Sequence, residues 1–471
     1  MKLSDVPVTS LSPVEFDAEL IARLGKSGPR YTSYPTADRF DEGFGQRDYL
    51  DAVAIVRERA RARALSLYLH IPFCATVCYY CACNKIVTRQ RDKAAVYLDY
   101  LQREIAMQGR LFAGDGRLVE QLHLGGGTPT YLDDAQMGDL LAHLRRHFRF
   151  ADDEVGEYAI EIDPRTVSVE RVHSLRRQGF NRISLGVQDF DADVQKAVNR
   201  IQPEAGTRAI IAAARVAGFR SVSIDLIYGL PKQTPASMAA TLDKVVAADP
   251  DRIAVYHYAH MPSLFKPQRR ILDTDMPDSD TKLRMLQLCI ERLTAAGYVY
   301  IGMDHFAKPG DDLALAQRQG RLHRNFQGYS THADSDLVAC GVSAIGAVGA
   351  SYSQNAKTLD DYYAALDRGE LPVVRGVRLS MDDLLRRTVI HTLMCQFELS
   401  IPAVEQAYPV VFRRYFAREL EALAGLERDG LVSVGEDWIS VSLKGRLLIR
   451  NVCMVFDRYL AGAEARHSQT V

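Results

Sequence analysis

The chain lacks an excess of either charge. Its 471 residues include 58 Lys+Arg and 59 Asp+Glu, which leaves a formal net charge of -1. Such a balance produces no general field that would attract nucleic acid or anionic lipid. Residues 376–471 are balanced as well, with 12 basic and 12 acidic side chains. Because a DNA-binding domain normally carries a basic face, we expect no nucleic-acid partner.

A long apolar run is also missing. The longest uncharged stretch, residues 337–356, is interrupted by three glycines and three serines, and this makes it a poor membrane span. The segment "MKLSDVPVTSLSPVEFDAEL" has no apolar centre after a basic start, unlike a secretory signal. We therefore expect no membrane span and a cytoplasmic location.

Cysteine is scarce, and half of it is concentrated in one loop. Of the 8 cysteines, Cys74, Cys78, Cys81 and Cys83 fall within ten residues. Thiols stay reduced in the cytoplasm, so this grouping indicates metal binding or catalysis rather than disulfides. Four thiolates can hold zinc, although structural zinc sites usually pair short clusters from separate turns. An iron–sulfur cluster also takes several cysteines from one loop, and three thiols would leave one iron open to a ligand.

Short apolar runs alternate with longer amphipathic stretches from about residue 65 onward. Stretches such as "AAVYLDYLQREIAMQGRLF" and "AGTRAIIAAARVAGF" have helical periodicity. Strand–helix alternation indicates a parallel sheet, and this many units predict a complete or partial α/β barrel. The predicted strands are 65–71, 119–125, 157–163, 181–187, 221–229, 252–258 and 298–306.

The two ends of the chain depart from this pattern. The segment "SGPRYTSYPTADRF", which precedes the first strand, has no clear period and predicts an arm that wraps over the surface. After residue 375, a helix at 380–396, a hairpin in "LVSVGEDWISVS" and a last helix in "GRLLIRNVCMVFDRYL" predict a small winged-helix-like domain. Since that domain is not basic, we expect it to pack against the barrel.

Polar residues and glycines lie where a barrel would build its active site. "LHLGGGTPTYL" follows the second predicted strand, and glycine allows a backbone to approach a ligand closely. Glu161, Gln188 and Asp225 lie in or at the ends of the next strands, and the carboxyl ends of barrel strands carry the site. The forked donors of Arg200 suit a carboxylate.

The cysteine loop resembles that of the radical S-adenosylmethionine (SAM) superfamily, because Cys74-x3-Cys78-x2-Cys81 follows the first barrel strand. Longer motifs are similar to those of the HemN family of oxygen-independent coproporphyrinogen III oxidases. They occur in order from about residue 28 to 460: "GPRYTSYPT", "YLHIPFC", "CYYCACNKIVTR", "GGGTPTYL", "IEIDPR", "GFNRISLGVQDF", "VNR", "IDLIYGLPKQT", "IGMDHFAKP", "LHRNFQGYSTH", "GVSAIG" and "KGRLLIRN".

This resemblance implies an α/β fold, a partial (β/α) barrel of the radical SAM type with an N-terminal arm and a small, mainly helical, winged-helix-like C-terminal domain. The expected division is an arm and substrate-covering segment at 1–55, a catalytic barrel with its extension at 56–370, and the C-terminal helical domain at 371–471.

The resemblance also implies a [4Fe–4S] cluster and two SAM molecules. Cys74, Cys78 and Cys81 match the cluster ligands, and Cys83 matches a residue that assists the substrate chemistry. Tyr80 stands where the family usually has Phe. The positions that match the surroundings of the first SAM are Tyr68, Gly126, Glu161 and Ile345, and those of the second are Tyr80, Gly127, Thr128, Gln188, Arg200, Asp225 and Ala259.

The implied reaction converts two propionates of coproporphyrinogen III to vinyl groups and gives protoporphyrinogen IX. A 5′-deoxyadenosyl radical derived from SAM removes a hydrogen atom, and CO2 and one electron then leave. We expect a monomer served by an electron donor and an electron acceptor that the sequence does not identify. Candidate cations for the substrate carboxylates are Arg30, Arg269, Arg270 and Arg324, while His305 and His323 are expected to be structural.

Two other interpretations stay open at this point. A haem-binding chaperone of the paralogous HemW family would keep the three cluster cysteines without performing the oxidation. A zinc-stabilised structural protein would bind a colourless metal. Four features favour the oxidase over the chaperone: Cys83, the "GPRYTSYPT" arm, "HRNFQGYS" and "GRLLIRN".

Overall fold

One large sheet organises the molecule. The computed structural model describes residues 14–25, 28–58, 63–114, 116–333 and 335–460. The strands of the large sheet are β1 Leu65–Ile71, β4 Leu118–Gly126, β5 Arg149–Phe150, β6 Glu157–Ile162, β7 Arg182–Gln188, β8 Ser221–Tyr228, β9 Arg252–His257, β10 Val299–Gly302, β11 His305–Ala307, β14 Asp336–Cys340, β15 Ile345–Val348, β16 Ser351–Asn355 and β17 Val373–Arg378. The remaining strands are β2 Phe73–Cys74, β3 Ile86–Val87, β12 His323–Asn325, β13 Gly328–Ser330, β18 Glu398–Ser400, β19 Val432–Val434 and β20 Trp438–Val441.

Helices connect and cover these strands. They are α1 Ala18–Leu24, α2 Gln46–Arg57, α3 Asp92–Leu111, α4 Asp134–His147, α5 Val169–Gln178, α6 Ala192–Ala197, α7 Glu204–Ala217, α8 Pro235–Ala247, α9 Ser279–Ala295, α10 Asp312–Arg318, α11 Leu359–Asp367, α12 Met381–Gln396, α13 Ile401–Ala407, α14 Phe412–Tyr415, α15 Ala417–Arg428 and α16 Ile449–Val455. Among these described helices, none combines the length and apolarity that crossing a membrane requires.

The strand order confirms the predicted partial barrel. β1 pairs in parallel with β4, and β6, β7, β8 and β9 follow in turn, all parallel. The sheet continues on the other side of β1 through β14 to β17, and its two outermost strands are β10 and β17. Because parallel strands place their carboxyl ends at one edge, the loops after β1, β4, β6, β7 and β8 meet there.

The last predicted strand is wrong in detail. Residues 298–306 form a tight antiparallel hairpin, β10 and β11, and β11 pairs antiparallel to β9. The chain reverses at Met303, whose φ is +51°. Gly302, with a φ of +140°, and Asp304 mark this reversal in "YVYIGMDHF", but the apolar residues on both sides of them resemble one continuous strand.

The uncharged stretch 337–356 holds strands that the sequence pattern did not predict. β14, β15 and β16 run antiparallel to one another, and β14 also pairs in parallel with β1. Every residue of β14 and β16 is buried, which explains why charge is missing from the stretch. Gly341 and Gly349, with φ of +103° and +59°, lie at the turns after β14 and β15.

The N-terminal arm is buried rather than spread over the surface. Tyr31 and Tyr34 have no exposed area. The Tyr31 hydroxyl donates to Asp457 Oδ2 at 3.0 Å, and Arg450 donates to the carbonyls of Gly28 and Pro29. The arm thus fills a space beside the C-terminal segment, and long-range contacts of this kind leave no periodic signal in the sequence.

The C-terminal domain packs against the barrel, as expected. It has three antiparallel strands in the order β18-β20-β19 and the helices α12 to α16. Gln317 of α10 donates to the Cys395 carbonyl at 2.9 Å, and Tyr329 of β13 donates to the Met394 carbonyl at 3.2 Å. The proposed limits of the arm and the barrel fall within α2 and just before β17, the last strand of the large sheet. The three-part division stays a prediction.

A buried carboxylate holds the turn between β14 and β15. Glu104 of α3 accepts hydrogen bonds from Gly341 N at 2.7 Å, Asn355 Nδ2 at 2.7 Å and the Tyr362 hydroxyl at 2.5 Å. Burial raises the pKa of Glu104 to about 7, although these three donors oppose the shift. This turn precedes Ile345, so Glu104 fixes the position of a predicted SAM-contacting residue.

We expect Glu104→Ala to lower the free energy of unfolding by about 3 kcal/mol, because three buried donors would lose their acceptor. The measurement is denaturant unfolding followed by circular dichroism. Glu421→Ala is the control, because that carboxylate lies on α15 in the C-terminal domain, away from this turn. An equal effect of both substitutions would contradict the role assigned to Glu104.

Candidate active site

The loop that carries the four thiols is held at both ends and in its middle. β2 and β3 pair in parallel, with Ile86 N donating to Pro72 O at 2.7 Å. Tyr79 N donates to the Val198 carbonyl at 2.9 Å, and Asn199 Nδ2 donates to the Val77 carbonyl at 2.7 Å. These bonds tie the loop to the segment after α6, so the thiols have fixed positions.

The three predicted ligands have different surroundings. Cys74 Sγ lies 3.4 Å from the Thr128 hydroxyl, and burial raises the pKa of its thiol to about 11. Cys78 is buried and accepts from Arg165 Nη2 and Arg200 Nη1, each at 3.4 Å. A hydrogen bond between the Cys83 and Cys81 thiols lowers the Cys81 pKa and raises that of Cys83 well above its usual value.

The thiols fit an iron–sulfur cluster better than a single metal ion. Within the described residues, no group of three or more Cys, His, Asp or Glu side chains converges closely enough to hold one ion. A tetrahedral zinc would need four sulfurs about 2.3 Å from one point. A [4Fe–4S] cluster spaces its ligands more widely and needs thiolates. The two arginines beside Cys78 and the amino group of Lys85 stabilise such thiolates by their positive charge. Lys85 donates to the Cys81 carbonyl at 2.9 Å.

A cleft of about 230 Å³ gathers most of the predicted site residues, and we refer to it as the cluster cleft. It lies at the carboxyl ends of the parallel strands, where the barrel was expected to build its site. The predicted residues that line it are Cys74, Cys78, Tyr80, Cys81, Cys83, Gly126, Gly127, Thr128, Glu161, Gln188, Arg200 and Asp225.

The glycine motif is required by packing as well as by access to a ligand. Gly126 has a φ of +112°, a conformation that side chains rarely adopt, and a Cβ there would lie 2.5 Å from the His70 ring. A Cβ on Gly127 would lie 2.7 Å from the Pro72 carbonyl. The motif therefore lets β4 run close to the loop after β1, which opens the cluster cleft between them.

Glu161 is held ionised on the wall of the cleft. Burial would raise its pKa, but hydrogen bonds from His123 Nε2 at 3.0 Å and Gly126 N at 3.3 Å, with the charge of His123, lower it below the ordinary value. The pKa of the neighbouring Asp225 shifts in the opposite direction. Burial and the neighbouring Glu161 raise the Asp225 pKa to about 7, although the Ser184 hydroxyl donates to it at 3.1 Å.

A pair of arginines closes the side of the cleft next to Cys78. Arg165 binds Asp163 through two nitrogens, at 3.0 and 2.6 Å, and Arg200 Nη1 lies 3.3 Å from the same carboxylate. Among the described residues, Arg200 Nε and Gln188 Oε1 are buried without a hydrogen-bond partner. Gln188 also has a φ of +70°. Unpartnered polar atoms at the wall of a cleft suit a polar ligand such as SAM.

A second cavity, of about 530 Å³, adjoins the first, and we refer to it as the central cavity. Tyr68 and Ile345 line it, and Cys83, Gly126 and Glu161 line both spaces. Cys83 thus lies at the junction between the cluster cleft and the central cavity. A residue there can touch a ligand in either space.

Ala259 and two of the candidate substrate cations lie outside both spaces. Ala259 lines neither space, and its carbonyl accepts from Gln268 Nε2, which also donates to the Tyr80 carbonyl. Of the four candidate substrate cations, Arg269 and Arg270 are exposed, and Arg270 Cζ lies 5.2 Å from the centroid of the Tyr79 ring.

The other two candidate cations lie near the central cavity. Arg30 pairs with Asp304, and its Cζ lies 5.7 Å from the centroid of the Tyr256 ring. Tyr256 itself lines the cavity. Arg324 is buried, and its Nε donates to the Arg30 carbonyl at 3.3 Å. Arg30 of the arm and Arg324 of the β12–β13 hairpin are therefore connected behind the part of the cavity wall that Tyr256 forms.

Sequence reasoning missed several residues of the site. His70 and His123 face the central cavity from β1 and β4, and the Tyr68 hydroxyl lies 3.1 Å from His70 Nδ1. The period-two alternation of a strand places His70 on the same face as Tyr68 and could have identified it. Arg165 stands in the quoted motif "IEIDPR", but its approach to Cys78 depends on the tertiary fold.

Two protein-family models match the chain. The radical SAM superfamily matches residues 68–245, and the HemN C-terminal domain matches residues 379–448. The first range contains the thiol loop, the glycine motif, Glu161 and Asp225. The second range begins just after β17, the last strand of the large sheet.

Curated relatives cover nearly the whole chain. Oxygen-independent coproporphyrinogen III oxidase of Pseudomonas aeruginosa is 52% identical over 450 residues, which are 96% of this chain and 97% of the relative. The chain belongs to the oxygen-independent coproporphyrinogen III oxidase family. The same enzyme of Escherichia coli K12 is 52% identical over 451 residues, with 96% of this chain and 97% of the relative covered. That of Synechocystis is 46% identical over 456 residues, with coverages of 96% and 97%.

A solved structure agrees with this membership. Coproporphyrinogen III oxidase (HemN) from E. coli, described as a radical SAM enzyme, superposes with a TM-score of 0.90 at 51% identity. The match covers 95% of this chain and 99% of that chain. Members of this family use a [4Fe–4S] cluster and SAM, which confirms these two predicted cofactors, while the presence of a second SAM molecule stays a prediction.

Proposed function

We propose that the chain catalyses the oxygen-independent oxidative decarboxylation of coproporphyrinogen III to protoporphyrinogen IX, a step of haem biosynthesis. The observation that carries this proposal is a polar cleft lined by the three cysteines of one loop, in a chain that belongs to this family. In each of two rounds a propionate loses a hydrogen atom, CO2 and one electron, and a vinyl group is left. When bound, the [4Fe–4S] cluster and SAM supply the radical that takes the hydrogen atom.

The three thiols Cys74, Cys78 and Cys81 hold the cluster in this proposal. Arg165 and Arg200 point at the Cys78 sulfur and disperse negative charge there, because each N–H donor stabilises a thiolate. The Thr128 hydroxyl does the same at Cys74. The protein thereby fixes the three ligands before the cluster is loaded.

Glu161 and Asp225 bind the polar parts of SAM. The ionised Glu161 carboxylate, oriented by His123 and the Gly126 amide, suits an ammonium or a ribose diol. Asp225, Gln188 and Arg200 line the same cleft and include the unpartnered buried atoms Gln188 Oε1 and Arg200 Nε. We assign Tyr80, Gly127 and Thr128 to the same environment and Tyr68 and Ile345 to the part nearer the central cavity. Ala259 lines neither space, and its place near SAM is proposed on the family resemblance alone.

The central cavity receives the reacting propionate. It borders the cluster cleft at Cys83 and Glu161, so substrate and SAM can meet at that junction. The buried arm behind Tyr256 excludes water from the reaction and so protects a reactive intermediate. The proposal includes a cytoplasmic, monomeric enzyme that receives electrons from one partner and passes one electron per round to another.

The test is an anaerobic assay of the reconstituted protein with coproporphyrinogen III, SAM and a reductant. We expect SAM-dependent release of CO2 and formation of protoporphyrinogen IX. Stable haem binding with no CO2 release after full reconstitution would favour the chaperone interpretation. A colourless zinc-bound protein would contradict the cofactor assignment.

The pKa of Asp225 predicts a pH dependence of SAM binding. With a pKa of about 7, the carboxyl is protonated below neutrality and ionised above it. An ionised carboxylate pairs better with the cationic SAM, so the affinity should rise as the pH increases from 6 to 8, by at most about tenfold for each pH unit below the pKa. Asp225→Asn should abolish this slope in equilibrium dialysis.

Glu161 provides the control for that measurement. Its pKa is lower than usual, so it stays ionised across pH 6–8 and adds no slope of its own. Glu161→Gln should weaken SAM binding and move the slope to lower pH, because the Glu161 charge is one of the causes that raise the Asp225 pKa. A slope that persists in Asp225→Asn would assign the titration to another group.

A further inference from the structure

A third cleft shares Phe326 and Leu337 with the central cavity and has no role in the proposals above. Its volume is about 410 Å³. The walls come from β14 to β16, the β12–β13 hairpin and α12 of the C-terminal domain. We refer to this space as the basic cleft. It brings together a motif of the barrel extension, "HRNF", and a helix that begins more than 50 residues later in the chain.

Positive and imidazole side chains dominate the basic cleft. Arg63, Arg324 and Arg387 line it together with His323, His332 and His391. Of the described residues that line it, Asp336 is the one carboxylate. Asp336 already pairs with Arg117 at 2.8 Å and accepts from Gly349 N at 2.9 Å. The charge that faces the cleft is therefore positive.

Two of these side chains, Arg324 and His391, are buried and keep nitrogen atoms without a hydrogen-bond partner in the described part of the chain. Arg324 is 3% exposed, and its Nη1 has no hydrogen-bond partner among the described residues. His391 is 8% exposed, and neither of its ring nitrogens has a partner in that part of the chain. A buried donor without an acceptor costs free energy. Such costs are tolerated where a ligand supplies the acceptor.

We propose that the basic cleft binds propionate carboxylates of coproporphyrinogen III that are not reacting, while another propionate of the same molecule occupies the central cavity. This inference rests on the proposed function. The substrate carries four carboxylates, and two of them survive the reaction, so an anchor separate from the radical site is needed. Arginine forks bind carboxylates through paired hydrogen bonds.

The position of the cleft suits this role. Phe326 and Leu337 belong to both linings, so one tetrapyrrole can reach from the central cavity to Arg324 and Arg387. Arg324 also donates to the arm at the Arg30 carbonyl, which connects occupation of the cleft to the segment behind Tyr256. This role explains the "HRNFQGYS" motif, because His323, Arg324 and Phe326 all line the basic cleft.

Arg387 gives the sharpest test, because it is half-buried and, among the described residues, forms no hydrogen bond or ion pair that its loss would break. Arg387→Glu and Arg387→Gln should fold normally. The matched control is Arg418→Glu on α15, an exposed arginine outside the cleft. Each cluster-loaded protein is titrated with coproporphyrin III, the fluorescent oxidised form of the substrate, and KM and kcat are measured separately.

We expect Arg387→Glu to weaken coproporphyrin III binding and raise KM by about tenfold or more, and Arg387→Gln to have a smaller effect of the same sign. The yield of 5′-deoxyadenosine without substrate should equal that of the unmodified protein. Equal affinities in Arg387→Glu and Arg418→Glu would overturn the inference. Arg387-dependent binding of inorganic phosphate with unchanged coproporphyrin III affinity would also overturn it. An unmodified protein that releases no CO2 would instead refute the proposed function.

Discussion

Replacing Cys78 by alanine should abolish both the iron–sulfur cluster and product formation. Cys78 is the buried thiol of the loop, and it accepts hydrogen bonds from Arg165 and Arg200. Its removal leaves two thiols for the cluster and leaves two cations facing a void. Because the cofactor carries the chemistry, no slower route to the product exists in this site. The measurements are iron and sulfide content, visible absorbance and anaerobic turnover.

A matched control separates ligand loss from damage to the core. Cys289 of α9 is also a buried cysteine, but it lies in the hydrophobic core away from the loop. Cys289→Ala should cost roughly 1–2 kcal/mol of stability through the small cavity it creates and should keep the cluster. Normal iron content and turnover in Cys78→Ala would contradict the ligand assignment.

Replacing Cys83 by serine should separate the cluster from the substrate chemistry. Cys83 is the exposed thiol of the four, and it lines both the cluster cleft and the central cavity. Three other thiols remain as ligands, so iron and sulfide content should not change. The vinyl product should fall by roughly 10- to 100-fold, the range typical of residues that contact or orient a reacting group.

The decisive readout for Cys83→Ser is the ratio of two products. SAM cleavage to 5′-deoxyadenosine without substrate depends on the cluster, whereas CO2 release depends on the junction where Cys83 lies. We expect the first to persist and the second to fall. If both are unchanged, Cys83 is a spare small side chain beside the cluster, and if both are lost, it supports the cluster itself.

Much of the fold was predictable because its signals are local. Six of the seven predicted strands lie within two residues of their observed limits, since most of them place an apolar residue at every second position between helical stretches. The seventh prediction took the hairpin at Met303 for a single strand, although Gly302 and Asp304 signal a turn there. β14 to β16 were missed because an uncharged stretch rich in glycine and serine has neither strand nor helix periodicity.

The candidate site likewise has a part that the sequence predicts and a part that only the tertiary structure shows. The spacing of Cys74, Cys78 and Cys81 indicates a cluster without any structure, because all three ligands come from one loop. The sequence alone determined the thiol loop, the strand–helix alternation and the family. Tertiary structure decided which distant groups meet: His123 with Glu161, Arg165 with Cys78, and Arg324 with Arg387 and His391. Those pairs depend on sheet register and on how the C-terminal domain packs, and contacts between distant segments leave no periodic signal in one sequence.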